Sequence, residues 1–279
     1  MKKLISLSLF LFLAGACDKI PEGEYIKEPT DNGNDCTPTL QSDTLQRVLL
    51  EEFTGVKCNN CPEANRQAKN LQTVYGDQLI LLAIHAGNLA TTDAQHPRAF
   101  NTEEGTELFN FFNLFGVPVG FVNRKDYSSA SPFDIIKLQA DWGNEVQTLL
   151  NESPEVAIGI NEVDFNANNR NLIIDGRIEV LAGIPEGDIY YSVYLAENNI
   201  ISPQTMGDKT VNANYEHNHV FRGSFNGTYG EPIDLSAGCA EFSKEMIVDN
   251  EIVKENCEVI VFVYQRDNYR ILQVNKIDL

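Results

Sequence analysis

The feature that most constrains how this chain folds is a change of hydrophobic period at Pro154. Before it, short apolar runs alternate with stretches whose apolar residues recur at helical spacing. Arg47 to Phe53 (RVLLEEF) reads as a short strand, and Leu79 to His85 (LILLAIH) as a strand buried on both faces. Val119 to Asn123 reads as a third. Between them, Ala64, Ala68, Leu71 and Val74 mark a helix over Pro62–Val74, and Thr102 to Phe112 reads as a helix ending before Gly116. Ser131-Pro132-Phe133-Asp134 supplies a cap, a proline and a first-turn acid, and Ile135, Leu138, Trp142, Val146 and Leu149 follow at helical spacing. Strands alternating with helices predict an α/β sheet with parallel pairs.

After Pro154 the period is two. Val156, Ile158, Ile160 and Val163 precede a polar turn at Asn166 to Asn171, which signals a hairpin. Leu172–Val180, Ile189–Leu195, Phe242–Val248, Cys257–Tyr264 and Ile271–Ile277 read as further strands. Short strands separated by turn residues predict an all-β antiparallel sandwich. The expected plan is an α/β domain over residues 45–152 and a β-sandwich domain over 153–279.

Met1-Lys2-Lys3, an apolar run from Leu4 to Leu13 and Ala14-Gly15-Ala16 have the order of a secretory signal peptide, assigned to residues 1–16. The run is too short to cross a bilayer, which takes roughly 20 residues. Cys17 after these small residues resembles the lipidated cysteine of a bacterial lipobox, which implies a membrane attachment through a lipid on Cys17. Residues 17–44 are rich in Pro, Gly, Asn and acids without apolar period, and are expected to form a solvated tether. Loss of residues 1–16 removes Lys2 and Lys3 and no acid, taking the net charge from −19 to −21. Such a chain is repelled by nucleic acid, which is excluded as a partner.

The cysteines are Cys17, Cys36, Cys58, Cys61, Cys239 and Cys257. Cys58-Asn59-Asn60-Cys61 falls between the first expected strand and the first expected helix. Cysteines at i and i+3 of a helix start lie close enough to bridge. The free N–H groups and dipole there favour a thiolate on the first of them, and Lys57 adds a positive charge. Cys58 is the expected nucleophile and Cys61 the resolving thiol. Cys239 and Cys257 are expected to form a structural disulfide, which leaves Cys36 over; other connectivities stay open.

Leu49 through Pro62 (LLEEFTGVKCNNCP) resembles the first strand and active-site loop of the thioredoxin superfamily, and Gly116-Val117-Pro118 before a strand looks like that family's cis-proline loop. The resemblance implies a thioredoxin-like fold over about residues 45–152, a substrate-positioning role for Pro118, and a role for Glu52 as the buried acid that takes the resolving thiol's proton. The spacer is Asn-Asn rather than Gly-Pro, and no Trp precedes Cys58. Over the whole chain, the lipobox, EEFTGxxCxxCP, Ala83-Ile84-His85-Ala86-Gly87 and His217-Asn218-His219-Val220-Phe221-Arg222 resemble the Omp-twenty-eight-related outer-membrane lipoproteins of Bacteroidetes. That resemblance implies a cell-envelope, outer-membrane location.

Other readings stand beside these. Cys58 and Cys61 form either a redox pair or a static structural disulfide; a metal site would need His85 as a further ligand. His217 and His219 share a face if their segment is extended, the arrangement of a metal pair or of packing residues. No cofactor and no metal are assigned. The leading expectation is thiol–disulfide exchange with the thiols or disulfides of envelope proteins. The alternative is a non-catalytic binding or adhesion lipoprotein presenting loops around Asn198–Arg222.

Overall fold

A computed structural model describes residues 45–125 and 136–279. The signal segment, Cys17, Cys36, the tether and the Ser131–Asp134 cap lie outside the described residues. The chain divides into two compact units; the first, Met1–Asp35, also lies outside them, and everything described belongs to the second.

Strand β1 (Val48–Thr54) pairs in parallel with β2 (Leu79–His85) and antiparallel with β3 (Val119–Val122). Helix α1 (Cys61–Tyr75) links the first two strands, and α2 (Glu103–Phe111) and α3 (Trp142–Leu150) flank the third. Every residue of β1 and β2 is buried, as the unbroken apolar run of β2 predicts. Alternation splits β1 between two cores. Val48 and Leu50 pack with Ala64 and Ala68 of α1 and Trp142 and Val146 of α3. Leu49 and Phe53 pack on the other face with Leu108 of α2 and Phe121.

Thr102 caps α2, its Oγ1 accepting from Gly105 N at 2.9 Å. The described part of the third helix starts only at Trp142. Lys137 N donates to Gly120 O at 2.9 Å, so backbone pairing with β3 competes with helix there. Gly120 is required: a Cβ on it would sit 2.7 Å from the Trp142 ring.

The period-two half supplies β4 (Val156–Asn166), β5 (Asn171–Val180), β6 (Ile189–Glu197), β7 (Ile200–Thr205), β8 (Val211–His217) and β9 (Val220–Ser224). It continues with β10 (Glu231–Pro232), β11 (Cys239–Ile247), β12 (Cys257–Gln265) and β13 (Ile271–Asp278). β4 and β5 form the expected hairpin, Asn166 opposite Asn171, and with β11 make a three-stranded antiparallel sheet.

That sheet lies face to face with a larger one. Val193 and Leu195 of β6 and Val259, Val261 and Val263 of β12 meet Val156, Ile158, Leu172 and Ile174. The alternate residues Tyr194, Ala196, Ile260, Phe262 and Tyr264 point the opposite way, into the core shared with Phe53, Leu108 and Phe121. β6 and β12 are therefore buried on both sides by different partners, and their runs are nearly unbroken apolar, whereas alternation with exposed residues persists in the outer half of β4.

The larger sheet runs β13-β12-β6-β9-β2-β1-β3, with β10 on β6. The period change at Pro154 is therefore not a break in the sheet. The joint is narrow: β2 meets β9 in parallel at Ala83 and Val220, and Ala83 N donates to His219 O at 2.7 Å. The two ends also approach, with Ile271 N donating to Asn123 O at 2.8 Å. Between them Arg124, 2% exposed, donates from Nε to Glu51 Oε2 at 2.7 Å and from its NH2 to Oε1 at 2.5 Å. Its guanidinium lies over the rings of Phe112 and Phe262, so one buried ion pair ties β1, β3, α2 and β12 together.

Candidate functional site

The dithiol loop leaves β1 and turns into α1. Gly55 opens it because a Cβ there would lie 2.6 Å from the Leu89 carbonyl. Lys57 N donates to that carbonyl oxygen at 2.9 Å, and Cys58 N turns back to Gly55 O at 3.0 Å. Lys57 Nζ donates to Thr91 Oγ1. Cys58 and Cys61 are joined in a disulfide with Cα atoms 5.4 Å apart. Cys61 is the first residue of α1, Pro62 follows, and Asn60 makes no side-chain cap. The Cys61 amide, one of the first-turn N–H groups without a partner inside the helix, points at sulfur, Cys61 N lying 3.1 Å from Cys58 Sγ. When the disulfide opens, this donor and the helix dipole favour a Cys58 thiolate.

The Val117–Pro118 peptide is cis, and the Val117 carbonyl oxygen is 3.7 Å from Cys58 Sγ. The residue before Pro118 thus approaches the disulfide. Gly87, Leu89, Phe109 and Val117 belong to the wall of a groove of about 520 Å³ beside this loop. Cys58 is 2% exposed and Cys61 fully buried.

Glu52 occupies the α1 face of β1, two residues beyond Leu50. Burial pushes its carboxyl from an ordinary 4.5 up to about 8, and Oε1 has no hydrogen-bond partner. It lies on the wall of a cleft of about 950 Å³ that also takes in Pro62, Lys69, Tyr215 and Glu258. Two further polar atoms on this face, Thr54 Oγ1 and His85 Nδ1, are buried without partners, and Thr54 is paired opposite His85.

What sequence reasoning missed is the hairpin of β7 and β8, which crosses from the second half of the chain onto the dithiol loop. Gln204 Nε2 donates to Cys58 O at 2.9 Å and to Gly55 O at 3.3 Å, and Thr205 N donates to Val56 O at 2.9 Å. His96, in the segment between β2 and α2, joins Thr205 Oγ1 at 3.0 Å. The segment was legible as a loop only: Pro203 interrupts β7, and β8 is mostly exposed.

The two histidines of the His217–His219 segment part company. His217 is buried with its ring 5.6 Å from that of His85 and 4.8 Å from that of Tyr215. Burial lowers it to about 4. His219, at positive φ, turns its Nδ1 to Glu258 Oε1 at 2.6 Å. Among the described residues no three His, Cys, Asp or Glu side chains group to hold a metal.

The expected Cys239–Cys257 staple is not formed. Cys239 is in a disulfide with another cysteine, whereas Cys257 is a free, buried thiol. Cys239 opens β11 opposite Glu179 of the smaller sheet and Cys257 opens β12 opposite Glu197 of the larger, and the bond Cys239 already makes leaves Cys257 without a disulfide partner. Cys257 Sγ faces Val253 O at 3.3 Å, and burial followed by the Glu197 charge pushes the thiol up to about 12.

Fold and site together define a β-rich protein with mixed parallel and antiparallel pairing and a disulfide at a helix start. The family model described as Outer membrane protein Omp28 matches residues 106–279, and the chain belongs to that family, placing it in the cell envelope at the outer membrane. The match starts within α2, past the dithiol. No curated protein matches the chain. Among solved structures, HBP35 of Porphyromonas gingivalis is similar at a TM-score of 0.67 and 16% identity, over 85% of this chain and 76% of that one. A domain of the outer membrane lipoprotein Omp28 from the same organism aligns at 21% identity, TM-score 0.34, over 45% of this chain and 88% of its own. The first likeness shows the overall fold.

Proposed function

We propose that this protein performs thiol–disulfide exchange on envelope proteins, tethered to the membrane by a lipid on Cys17, through a thioredoxin-like first half. The observation that carries the reading is a disulfide at the N-terminus of α1, facing a cis-proline loop, with a carboxyl buried on the α1 face of the strand that leads into it. A parallel β1-α1-β2 unit followed by an antiparallel β3 supports it.

In the oxidised protein, a partner thiolate attacks Cys58 Sγ. The Cys58–Cys61 bond breaks, a mixed disulfide forms on Cys58, and Cys61 leaves as a thiolate. Glu52, held as the neutral acid near pH 7, supplies the proton that Cys61 takes up. A second partner thiolate then displaces Cys58, so the partner gains a disulfide and loses two electrons to the Cys58–Cys61 pair. Run backwards, the same steps reduce a partner disulfide. Pro118 and the Val117 carbonyl form the surface against which an extended partner chain aligns.

The test is a Cys61→Ser variant of the full chain in the envelope. A mixed disulfide on Cys58 is the expected result; if no partner is captured, the exchange reading fails.

One observation favours the second reading, a binding lipoprotein with a static disulfide: Cys58 is only 2% exposed. That reading expects Cys58→Ser/Cys61→Ser to leave the cellular phenotype intact and substitutions in the loops of 198–222 to alter it.

A further inference from the structure

The β7–β8 hairpin has no counterpart in the exchange steps above, yet it grips the loop that performs them. Gln204 is 3% exposed, and its Nε2 meets the carbonyl oxygens of Cys58, Thr205 and Gly55 at 2.9, 3.1 and 3.3 Å. Thr205 N adds a backbone bond to Val56 O at 2.9 Å. Within reach of one side chain and one backbone amide from β7, therefore, lie the carbonyls of Gly55, Val56 and Cys58. These are buried acceptors at a point where the chain is neither strand nor helix; Gly55 O also accepts from Cys58 N, and the hairpin supplies the donors to Val56 O and Cys58 O.

We propose that Gln204 is a positioning residue of the dithiol, holding the Cys58 backbone so that its sulfur stays on the free Cys61 amide. The hairpin is then part of the redox site and not of the sandwich from which it springs. The physical argument has two parts. Fixing the Cys58 carbonyl fixes where Cβ and Sγ fall, and the 3.1 Å contact from Cys61 N to Cys58 Sγ depends on that placement. The positive end of the Gln204 amide, 2.9 Å from the Cys58 carbonyl oxygen, also adds to the positive potential around this residue. Release of Gln204 loosens the contact and removes that partial charge, so thiolate formation becomes harder.

The inference deepens the exchange reading and rests on it for its purpose, but its test reads Cys58 ionisation and needs no turnover. Full-length reduced protein is alkylated with iodoacetamide across a pH series, and the label on Cys58 is followed by peptide mass so that Cys257 does not contribute. Gln204→Ala and Gln204→Met, the second keeping length without a donor, are expected to move the Cys58 midpoint upward. Alkylation at pH 7 then slows by about three- to tenfold, since thiolate fraction falls tenfold per pH unit below the midpoint. Ile201→Thr, at a position 55% exposed on the same hairpin, is the control and keeps the wild-type profile. A folded Gln204 variant with the wild-type profile overturns the proposal.

A second measurement uses wild-type protein alone. Hydrogen exchange at the Thr205 amide is expected to differ between the oxidised and reduced forms, because the loop it binds moves when the sulfurs separate. Identical exchange in the two forms overturns the coupling. If exchange differs and the variants behave as expected while no partner is ever trapped on Cys58, the positioning role stands and the exchange function falls.

Discussion

Replacing Glu52 by Gln keeps the side chain's shape and removes its charge, and the consequence depends on pH in a way that can be worked out. A carboxyl moved from 4.5 to about 8 pays for burial in its ionised form. At about 1.4 kcal/mol per pH unit the full displacement corresponds to about 5 kcal/mol. Contact with the solvent-filled cleft reduces what is realised, and about 2–4 kcal/mol is the expected range. The sign follows from proton binding. Between pH 4.5 and 8 the native state holds the Glu52 proton and the unfolded chain has lost it, so this group's contribution is complete below 4.5 and declines as pH rises through 8. Glu52→Gln has no such slope. Its stability relative to wild type should rise from pH 5 and level off above about 8, whatever the offset at pH 5. His217, lowered to about 4 by burial, pulls stability the other way between 4 and 6.5, but equally in both proteins. Urea unfolding at pH 5, 7 and 9, with m-values compared, gives the difference directly. A difference that does not change with pH would refute the assignment of Glu52 as a buried neutral acid, and with it the proton supply to Cys61.

Three further outcomes are expected. Gly55→Ala drives a methyl into the Leu89 carbonyl at 2.6 Å and should cost about 1–3 kcal/mol in urea unfolding while altering Cys58 alkylation. Arg124→Met strands the Glu51 carboxylate in a dry core and should cost about 3–5 kcal/mol; Glu51→Leu/Arg124→Met together should recover part of it. Cys257→Ala should leave the number of disulfides unchanged by mass under non-reducing conditions, whereas Cys239→Ala should release one thiol; loss of a disulfide in the first case contradicts the free-thiol assignment.

Much of the fold was legible where one segment carries its own signal. The unbroken LILLAIH run identifies a strand covered on both faces, and alternation over Val156–Ile160 with Asn166 and Asn171 fixes the β4–β5 hairpin. The dithiol and its helix start also follow from spacing within a few residues, whereas only the resemblance singles out Glu52. What stayed hidden depends on pairs far apart in sequence. Nothing local to Ala83 or Val220 announces the single pairing that fuses two strand systems into one sheet. Proximity in sequence misled for Cys239 and Cys257, because Cys239 is bonded to a different cysteine and Cys257 is left as a buried thiol. The hairpin was lost for a different reason. Of its buried residues only Ile200 is apolar; Ser202, Gln204 and His217 are polar and are held by partners on the dithiol loop and across the hairpin, so hydrophobic period carries no trace of them.

The central claim, that Cys58 and Cys61 turn over, is tested most directly by following a disulfide-bonded test peptide with the purified full-length protein under a reducing supply. The account predicts catalysed reduction by wild type, abolished in Cys58→Ser. For Cys61→Ser it predicts arrest at a mixed disulfide. Wild-type protein that acts no faster than the Cys58→Ser/Cys61→Ser double variant would contradict it.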